Sequence, residues 1–426
     1  MTEISSSNQN LVSKSAKPIM IIGALFFVFG FVTWLNSVLI PYLKIACELN
    51  NFESYLVAFS FYISYLVMAI PSAWILKITG FKKGMALGLV IMAVGALLFI
   101  PAALSRTYEL FLLGLFIQGT GLAVLQTASN PYITILGPPE SAAKRISIMG
   151  ICNKVAGAIA PIALGAVTLK DADALTERLK VMDNLQKAEA LDQLASRVIT
   201  PYILIILVLM VLAVLIYLSA LPEVDTDQED EIVAASNSNK TSVFQFPHLL
   251  LGVVTMFLYV GAEVIAGDTI ISYGASQGIA LSTAKFFTSF TLVAMITGYI
   301  IGIVAIPKYF SQDNALKFSA VLGVFLVLIA VFTTGYTSVT CIALLGLANS
   351  LMWPSIFPLA IAGLGRFTKI GSSLIIMGIA GGAVLPLIYG YFADLYTSSQ
   401  AYWLLLPCYL FISYYAVYGS KIRTKN

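Results

Sequence analysis

Long apolar runs recur along almost the whole chain, and they restrict its fold more than any other feature. Each is long enough to cross a bilayer as a helix, which takes about 20 predominantly apolar residues. Charged residues make up only 11% of the chain, against about 25% in soluble proteins. No water reaches the bilayer core, so each crossing segment must satisfy its own backbone hydrogen bonds, as a helix does. The sequence therefore predicts an all-α membrane protein.

The apolar runs predict twelve transmembrane helices in two halves of six. Between the fifth and sixth runs, the string MDNLQKAEALDQLAS predicts a surface helix. The predicted spans cover residues 18–43, 54–78, 82–104, 108–136, 145–169, 200–220, 248–274, 282–306, 314–333, 338–363, 370–392 and 401–419.

The polar stretches between and around these runs predict the domain organisation. Residues 1–17 form an N-terminal tail, 18–220 a first six-helix half, and 221–247 an acidic, then Ser/Asn-rich, linker. Residues 248–419 form the second half and 420–426 a short C-terminal tail.

Lysine and arginine residues indicate how the chain is oriented. They concentrate in the tails and in the short loops on the same side as the N-terminus, whereas the opposite short loops carry only Lys44, Arg106 and Lys285. Basic residues in short loops face the cytoplasm. The pattern predicts that both termini and the linker are cytoplasmic.

Three charged residues lie well inside predicted spans: Lys154 in the fifth, and Glu263 and Asp268 in the seventh. A charge near the bilayer centre costs at least about 2.5–3.5 kcal/mol on insertion scales, and such groups usually pair and mark a pathway. A structural pair that joins two helices is the alternative. Glu263 and Asp268 are separated by about 140° around a helix, so one of them is expected to neutralise Lys154. All three are candidates for ion coupling.

Polar side chains and tryptophans also cluster within the apolar spans. Buried amides without partners are costly, and hydrogen bonding between helices is one explanation for them. Together, amides, hydroxyls and indole rings suit a sugar, whose hydroxyls need neutral donors and acceptors and whose apolar face needs an aromatic ring. The candidate substrate-binding residues are Trp34, Asn36, Ser37, Gln126, Asn130, Asn153, Lys154, Asn349 and Trp353.

The remaining composition argues against catalysis. The four cysteines are scattered without metal-binding or disulfide spacing, and His248 is the one histidine. No nucleophile–base set is apparent. We expect neither an enzyme nor a resident cofactor. The expected partners are a small sugar and the lipid bilayer, with no nucleic acid.

Several strings resemble one known family. FGFVTWLNSVLIPYLK, GLAVLQTASNPYITILGPPESAAKR, YVGAEV and GSSLIIMGIAGGAVLP resemble the fucose/galactose/glucose symporters of the major facilitator superfamily. That family includes L-fucose permease and bacterial glucose/galactose and N-acetylglucosamine permeases. The resemblance covers all twelve spans. It implies a two-half fold, alternating access and monosaccharide uptake coupled to a cation, with a proton or sodium as the co-transported ion. It also implies a bacterial inner membrane and a monomer as the working unit.

The chain departs from that family at residues that matter for coupling. The family's aspartate in the first span is Ser37 here, and the fucose permease's acid in the fourth span is Gln126. In the fifth span Asn153 is kept, while Lys154 replaces a small polar residue. The resemblance thus implies a hexose or N-acetylhexosamine rather than fucose, with coupling that differs from the fucose branch. A sugar uniporter, or an exporter of amphipathic drugs or lipids, remains the alternative.

Overall fold

The computed structural model describes residues 19–135, 142–219, 221, 241–305, 309, 311–364 and 367–424. Within these ranges, twelve helical segments are long and apolar enough to cross a membrane, as predicted. We label them α1–α12 in chain order: Ile19–Ala46, Asn51–Ser72, Trp74–Ser105, Tyr108–Ser129, Ile148–Thr168, Asn184–Leu218, Pro247–Asp268, Leu281–Ala305, Asp313–Phe332, Gly335–Ile361, Ser373–Leu395 and Ser398–Ile422.

A kink near the start of α3 depends on a glycine. Helical residues run from Asn51 to Leu97, and the kink lies at Gly80, whose φ is +74°. Only glycine adopts this backbone conformation without a steric penalty. Gly80 therefore allows this kink inside the predicted loop between the second and third spans.

Several spans are interrupted inside the bundle, and three of the breaks lie beside predicted site residues. In α1 the helix Asn36–Ala46 begins after a turn at Leu35. The α7 helix ends at Asp268 and is followed by a separate helix, Ile270–Ser276. In α10, Gly335–Asn349 and Met352–Ile361 are separate helices. Broken helices free backbone groups, which are tolerated at membrane depth where protein or a cavity satisfies them. Asn36, Ser37, Asp268 and Asn349 lie at these three breaks.

Two short helices follow α5, Ala172–Leu179 and Asn184–Ser196. The second confirms the predicted surface helix and continues, after a short break, into the membrane helix Ile199–Leu218. Asp183 caps it by accepting a hydrogen bond from the Gln186 backbone N–H at 2.8 Å. The Tyr42 hydroxyl of α1 donates to the carbonyls of Leu194 and Ala195, at 2.9 and 2.8 Å, and so anchors the helix on the bundle.

The two halves pack through α2 against α11 and through α5 against α8. Close approach requires small residues. A Cβ on Gly390 of α11 would lie 2.4 Å from the Tyr55 ring of α2. The domain boundaries predicted at 18–220 and 248–419 stay a prediction, since most of the linker, 222–240, lies outside the described residues.

Candidate functional site

Lys154 and Glu263 form an ion pair that joins the two halves. The Lys154 Nζ lies 2.7 Å from Glu263 Oε1, and the two side chains are only 11% and 12% exposed. The Tyr259 hydroxyl donates to the other carboxylate oxygen, Oε2. Of the two acids left open by the sequence, the structure therefore pairs Glu263 with the lysine. Both oxygens of that carboxylate are satisfied.

Trp34 covers this ion pair from α1. The Lys154 Nζ lies 4.9 Å from the centroid of its ring, within the range of a cation–π interaction. The ring fits between two glycines: a Cβ on Gly157 of α5 would lie 2.3 Å from it, and one on Gly267 of α7 would lie 2.1 Å from it. The sequence suggested that small residues around Lys154 leave room for a helix or a ligand. The Trp34 ring occupies the space at Gly157.

A narrow cavity lies between the halves. It is lined from the first half by Tyr65, Ala69, Ala123, Gln126 and Thr127, and from the second by Trp353, Ile376 and Ile379. Gln126 Nε2 donates to the Tyr65 hydroxyl at 3.0 Å. The Trp353 ring is 6.5 Å from that of Tyr259, centroid to centroid. Glu263 and Tyr259 thus connect the ion pair to the aromatic wall of the cavity.

Other predicted site residues use their polar atoms within the bundle. Ser37 donates to the Trp34 carbonyl at 2.8 Å, one turn earlier in its own helix. Asn153 donates to the Phe26 carbonyl of α1 at 3.4 Å. Asn349 accepts from the Tyr409 hydroxyl of α12 at 2.9 Å and is buried inside the second half. The α10 break places Asn349 and Trp353 on separate helices, although the sequence suggested that they lie one turn apart on one helix.

Several predicted residues keep buried polar atoms without hydrogen-bond partners among the described residues. These atoms are both amide atoms of Asn36, both carboxylate oxygens of Asp268, Trp34 Nε1 and Asn349 Nδ2. The Asn36 and Asp268 side chains are fully buried. The side chain of Asn130 lies outside the described residues. Within the described part of the chain, no three His, Cys, Asp or Glu side chains gather to hold a metal ion.

Sequence reasoning missed the tyrosines that complete the site. Tyr65, Tyr259 and Tyr299 are buried or half-buried inside spans, and Tyr299 interacts electrostatically with Glu263. A tyrosine has an apolar ring and a hydroxyl that needs a partner when buried. Tyrosines well inside apolar spans are therefore the signal that could have found them.

Two aspartates, Asp173 and Asp394, join the halves at one end of the bundle. We call this end the clasp face and define it by these two residues and their partners Asn51 and Leu281. Asp394, at the end of α11, accepts from the backbone N–H of Asn51 and of Phe52 at the start of α2, at 3.0 and 2.7 Å. Asp173, after α5, accepts from the N–H of Leu281 and of Ser282 at the start of α8, at 2.8 and 3.1 Å. Spans α2 and α8, like α5 and α11, occupy equivalent places in the two halves. The same contact is therefore made twice, and the halves are closed together at this face.

Comparison with known proteins identifies the family. The profile of the Major Facilitator Superfamily matches residues 22–385. The chain belongs to the Major Facilitator Superfamily. A superfamily of transporters, together with twelve spans in this arrangement, confirms the predicted fold class and establishes a multi-pass membrane transporter rather than an enzyme.

Superfamily members with similar sequences carry sugar-transport names. The chain is 37% identical over 400 residues to a glucose/galactose transporter of Brucella abortus, covering 93% of this chain and 92% of the relative. It is 31% identical over 381 residues to the L-fucose-proton symporter of Escherichia coli strain K12, covering 88% and 87%. These matches confirm the resemblance found in the sequence motifs.

Solved superfamily structures agree with the fold. The crystal structure of FucP, a Major Facilitator Superfamily transporter in the outward conformation, superposes with a TM-score of 0.71 at 30% sequence identity, covering 94% of this chain and 98% of FucP. A bacterial homologue of the human lysosomal transporter Spinster, in an inward-facing and occupied conformation, gives a TM-score of 0.64 at 14% identity. At that identity the match shows the fold alone.

Proposed function

We propose that this transporter carries a hexose or N-acetylhexosamine into the cell together with a cation, by alternating access between its two halves. The observation that carries the proposal is the cavity between the halves, where an amide, a phenol and an indole converge (Gln126, Tyr65 and Trp353). Neutral donors and acceptors beside an aromatic wall suit a sugar ring. The glucose/galactose and fucose names of the relatives support this class of substrate.

The positions of the predicted residues relative to the cavity suggest a role for each of them. We propose that Gln126 and Trp353 contact the sugar. Tyr259 lies between Trp353 and the Lys154–Glu263 ion pair, so the ion pair is near the Trp353 side of the cavity. Trp34 acts as a cover on the ion pair. Because Ser37, Asn153 and Asn349 each make a hydrogen bond to the protein, we assign these three residues to holding the helices around the site. Asn130 remains a candidate contact on the strength of its sequence motif.

The coupling ion is assigned to the charged residues of α5 and α7. The acid positions of the fucose branch hold Ser37 and Gln126 here, so Lys154, Glu263 and Asp268 are the remaining charged groups well inside the spans. We propose that a proton or sodium ion is co-transported through them. The proposed setting is the bacterial inner membrane, with both termini cytoplasmic, the clasp face outside, and a monomer as the working unit.

Uptake into proteoliposomes tests the proposal. Labelled glucose, galactose, mannose, fucose and N-acetylglucosamine are each supplied with an inward proton gradient, an inward sodium gradient, or neither. One sugar class is expected to accumulate, and only with one of the ions. Gln126→Ala is expected to reduce uptake at least about tenfold, as for a buried sugar contact worth about 1.4 kcal/mol. Thr297→Ala is the control, because this hydroxyl is exposed on α8 and bonds within its own helix.

The other outcomes separate the alternatives. Equilibration of a sugar without accumulation under any gradient would indicate a uniporter. Transport of amphipaths with no movement of any sugar would overturn the proposal in favour of an exporter.

A further inference from the structure

We propose that Asp268 is the residue that binds the co-transported cation, and that this cation is a proton. The inference rests on the proposed function as a coupled sugar transporter and assigns the ion and its site within it. Lys154 and Glu263 then act as an ion pair that joins the halves, while Asp268 is the group that gains and loses a proton during the cycle.

The first observation is that the Asp268 carboxyl is buried and has no compensation. It is fully buried, and neither oxygen has a hydrogen-bond partner among the described residues. The nearest basic group in the bundle, Lys154, is already paired with Glu263 at 2.7 Å. An unpaired carboxylate in an apolar interior costs far more than a neutral carboxyl. In this conformation, therefore, Asp268 carries a proton.

The second observation is the position of Asp268 at a helix break. It is the last residue of α7, and the separate helix Ile270–Ser276 follows it. In the first half, Asn36 is the first residue after the α1 break, and it is also fully buried without a partner among the described residues. The helix Asn36–Ala46 packs against α7 and against Ile270–Ser276. Two unsatisfied polar groups thus lie at helix breaks in two spans that are in contact.

The third observation is the cover over the site. The Trp34 ring presses on Gly267, the residue before Asp268, so closely that a Cβ there would lie 2.1 Å away. The Thr288 hydroxyl of α8 donates to the Gly267 carbonyl at 2.7 Å and fixes the same turn. The Trp34 contact joins α1 to α7 across the two halves, and the Thr288 bond joins α8 to α7 within the second half. Separation of the halves would remove the cover and give Asp268 access to water.

Among the described residues, no group of three His, Cys, Asp or Glu side chains surrounds Asp268 to hold a metal ion. A hard metal cation takes several oxygen ligands, whereas a proton needs one oxygen. The titratable and charged groups that interact electrostatically with Asp268 are Glu263 on its own span, Lys154 on α5, and Tyr55 and Tyr62 on α2. Lys154 and Glu263 act on Asp268 in opposite directions, so their effects on its charge partly cancel.

The proposed cycle balances one proton. With the clasp face open, the Asp268 carboxylate takes a proton from the solution on that side and an O–H bond forms. The neutral acid permits Trp34 to close over it, whereas an ionised one opposes burial. When the halves open at the opposite face, the O–H bond breaks and the proton is released to the solution there. The sugar crosses in the same movement.

Asp268→Asn mimics the protonated acid permanently, so it separates coupling from transport. In proteoliposomes holding the full chain, we expect exchange of labelled for unlabelled sugar at equal pH to stay within about threefold of the unsubstituted protein. Accumulation driven by an inward proton gradient is expected to be lost, as is the sugar-induced pH change read by a trapped dye. Asp192→Asn, at an exposed carboxylate between α5 and the membrane part of α6, is the matched control and should change neither.

The possible results of this experiment distinguish a wrong assignment of Asp268 from a failure of the proposed function. Proton-driven accumulation that survives Asp268→Asn overturns the assignment, as does accumulation that requires sodium and not a proton gradient. If the unsubstituted protein exchanges no sugar, the proposed function fails instead. If the variant does not fold, a measurement on the unsubstituted protein still tests the assignment. A hydrophobic carbodiimide reacts with protonated carboxyls. We expect it to modify Asp268 and not Glu263. Modification of Glu263 without Asp268 also overturns the proposal.

Discussion

At the scale of single residues, the fifth span tolerates a lysine because two side chains compensate its charge and a third holds one of these two in place. Glu263 supplies the opposite charge, Tyr259 satisfies the other oxygen of that carboxylate, and Trp34 places its ring against the ammonium. Removing one member of a buried ion pair leaves an uncompensated charge, which is worse than removing both.

This asymmetry predicts how substitutions at the pair combine. Lys154→Ala and Glu263→Gln are each expected to lower the free energy of unfolding by about 3–5 kcal/mol, with transport reduced accordingly. The double variant should recover part of the loss, because no buried charge is left alone. Thermal unfolding and sugar exchange of all three proteins measure this. A double variant no better than the worse single one would show that the ion pair does not govern stability.

The contact of Trp34 with Gly267 gives a second prediction. Gly267→Ala places a methyl group where the ring lies, so the closed clasp face should become strained and sugar exchange should fall at least about tenfold. Gly23→Ala is the control, since its new Cβ would meet only ordinary contacts, at 3.7 Å or more. Equal exchange by the two variants would mean that the Trp34 cover does not form during the cycle.

At the scale of helices, the molecule places its breaks and its caps at equivalent positions in the two halves. Spans α1 and α7 are broken beside Asn36 and Asp268, and spans α2 and α8 begin at N-termini capped by aspartates from the opposite half. The first backbone N–H groups of a helix lack partners within it, and a carboxylate there also meets the positive end of the helix dipole. A cap supplied by the other half therefore stabilises the closed clasp face and is lost when that face opens.

Neutralising these caps should shift the conformational balance. Asp173→Asn and Asp394→Asn keep an oxygen acceptor but lose the charge, which is worth about 0.3–1 kcal/mol at each helix end. The double variant is expected to open the clasp face several-fold more often. Maleimide labelling of Ser54→Cys, a buried position beside Asn51, measures this in a chain whose four native cysteines are replaced. Unchanged labelling would mean that other contacts hold the face closed.

The surface helices after α5 predict a dependence on pH. The Arg197 guanidinium, hydrogen-bonded to Asp171, lowers the pKa of that carboxyl below its ordinary value. A carboxyl whose pKa is lowered on folding contributes stability above its unfolded pKa and loses it as the pH falls through the folded value. Hydrogen exchange in Ala172–Ser196, corrected for intrinsic rates, should therefore quicken below that lowered pKa. Asp171→Asn should show the faster exchange already at neutral pH.

At the scale of the whole molecule, the distribution of lysine and arginine makes the orientation testable. Single cysteines at Asp183→Cys, between α5 and α6, and at Ser238→Cys, in the linker, should react with a membrane-impermeant maleimide from opposite sides. In intact cells we expect labelling at 183 only, with 238 labelled after the membrane is opened. The reverse pattern would invert the predicted topology and place the clasp face in the cytoplasm.

The sequence by itself determined the class of the fold and the number of spans. Both follow from local properties: a bilayer-length apolar run must be helical, whatever its neighbours are. It also singled out Lys154, Glu263 and Asp268, because charge inside such a run is conspicuous. The surface helix at Asn184–Ser196 was predictable from its own short segment.

Only the tertiary structure decided which of these residues meet. Glu263 rather than Asp268 pairs with Lys154, Trp353 lies in the cavity while Asn349 bonds to Tyr409, and Asp173 and Asp394 cap helices more than 100 residues away along the chain. Such contacts depend on how the helices rotate and pack, and on breaks at Leu35, Thr269 and Leu351 that no local pattern marked. Apolar spans have similar residues on all sides, so their sequence carries little information about which side faces a neighbour, and close packing of the whole bundle settles it.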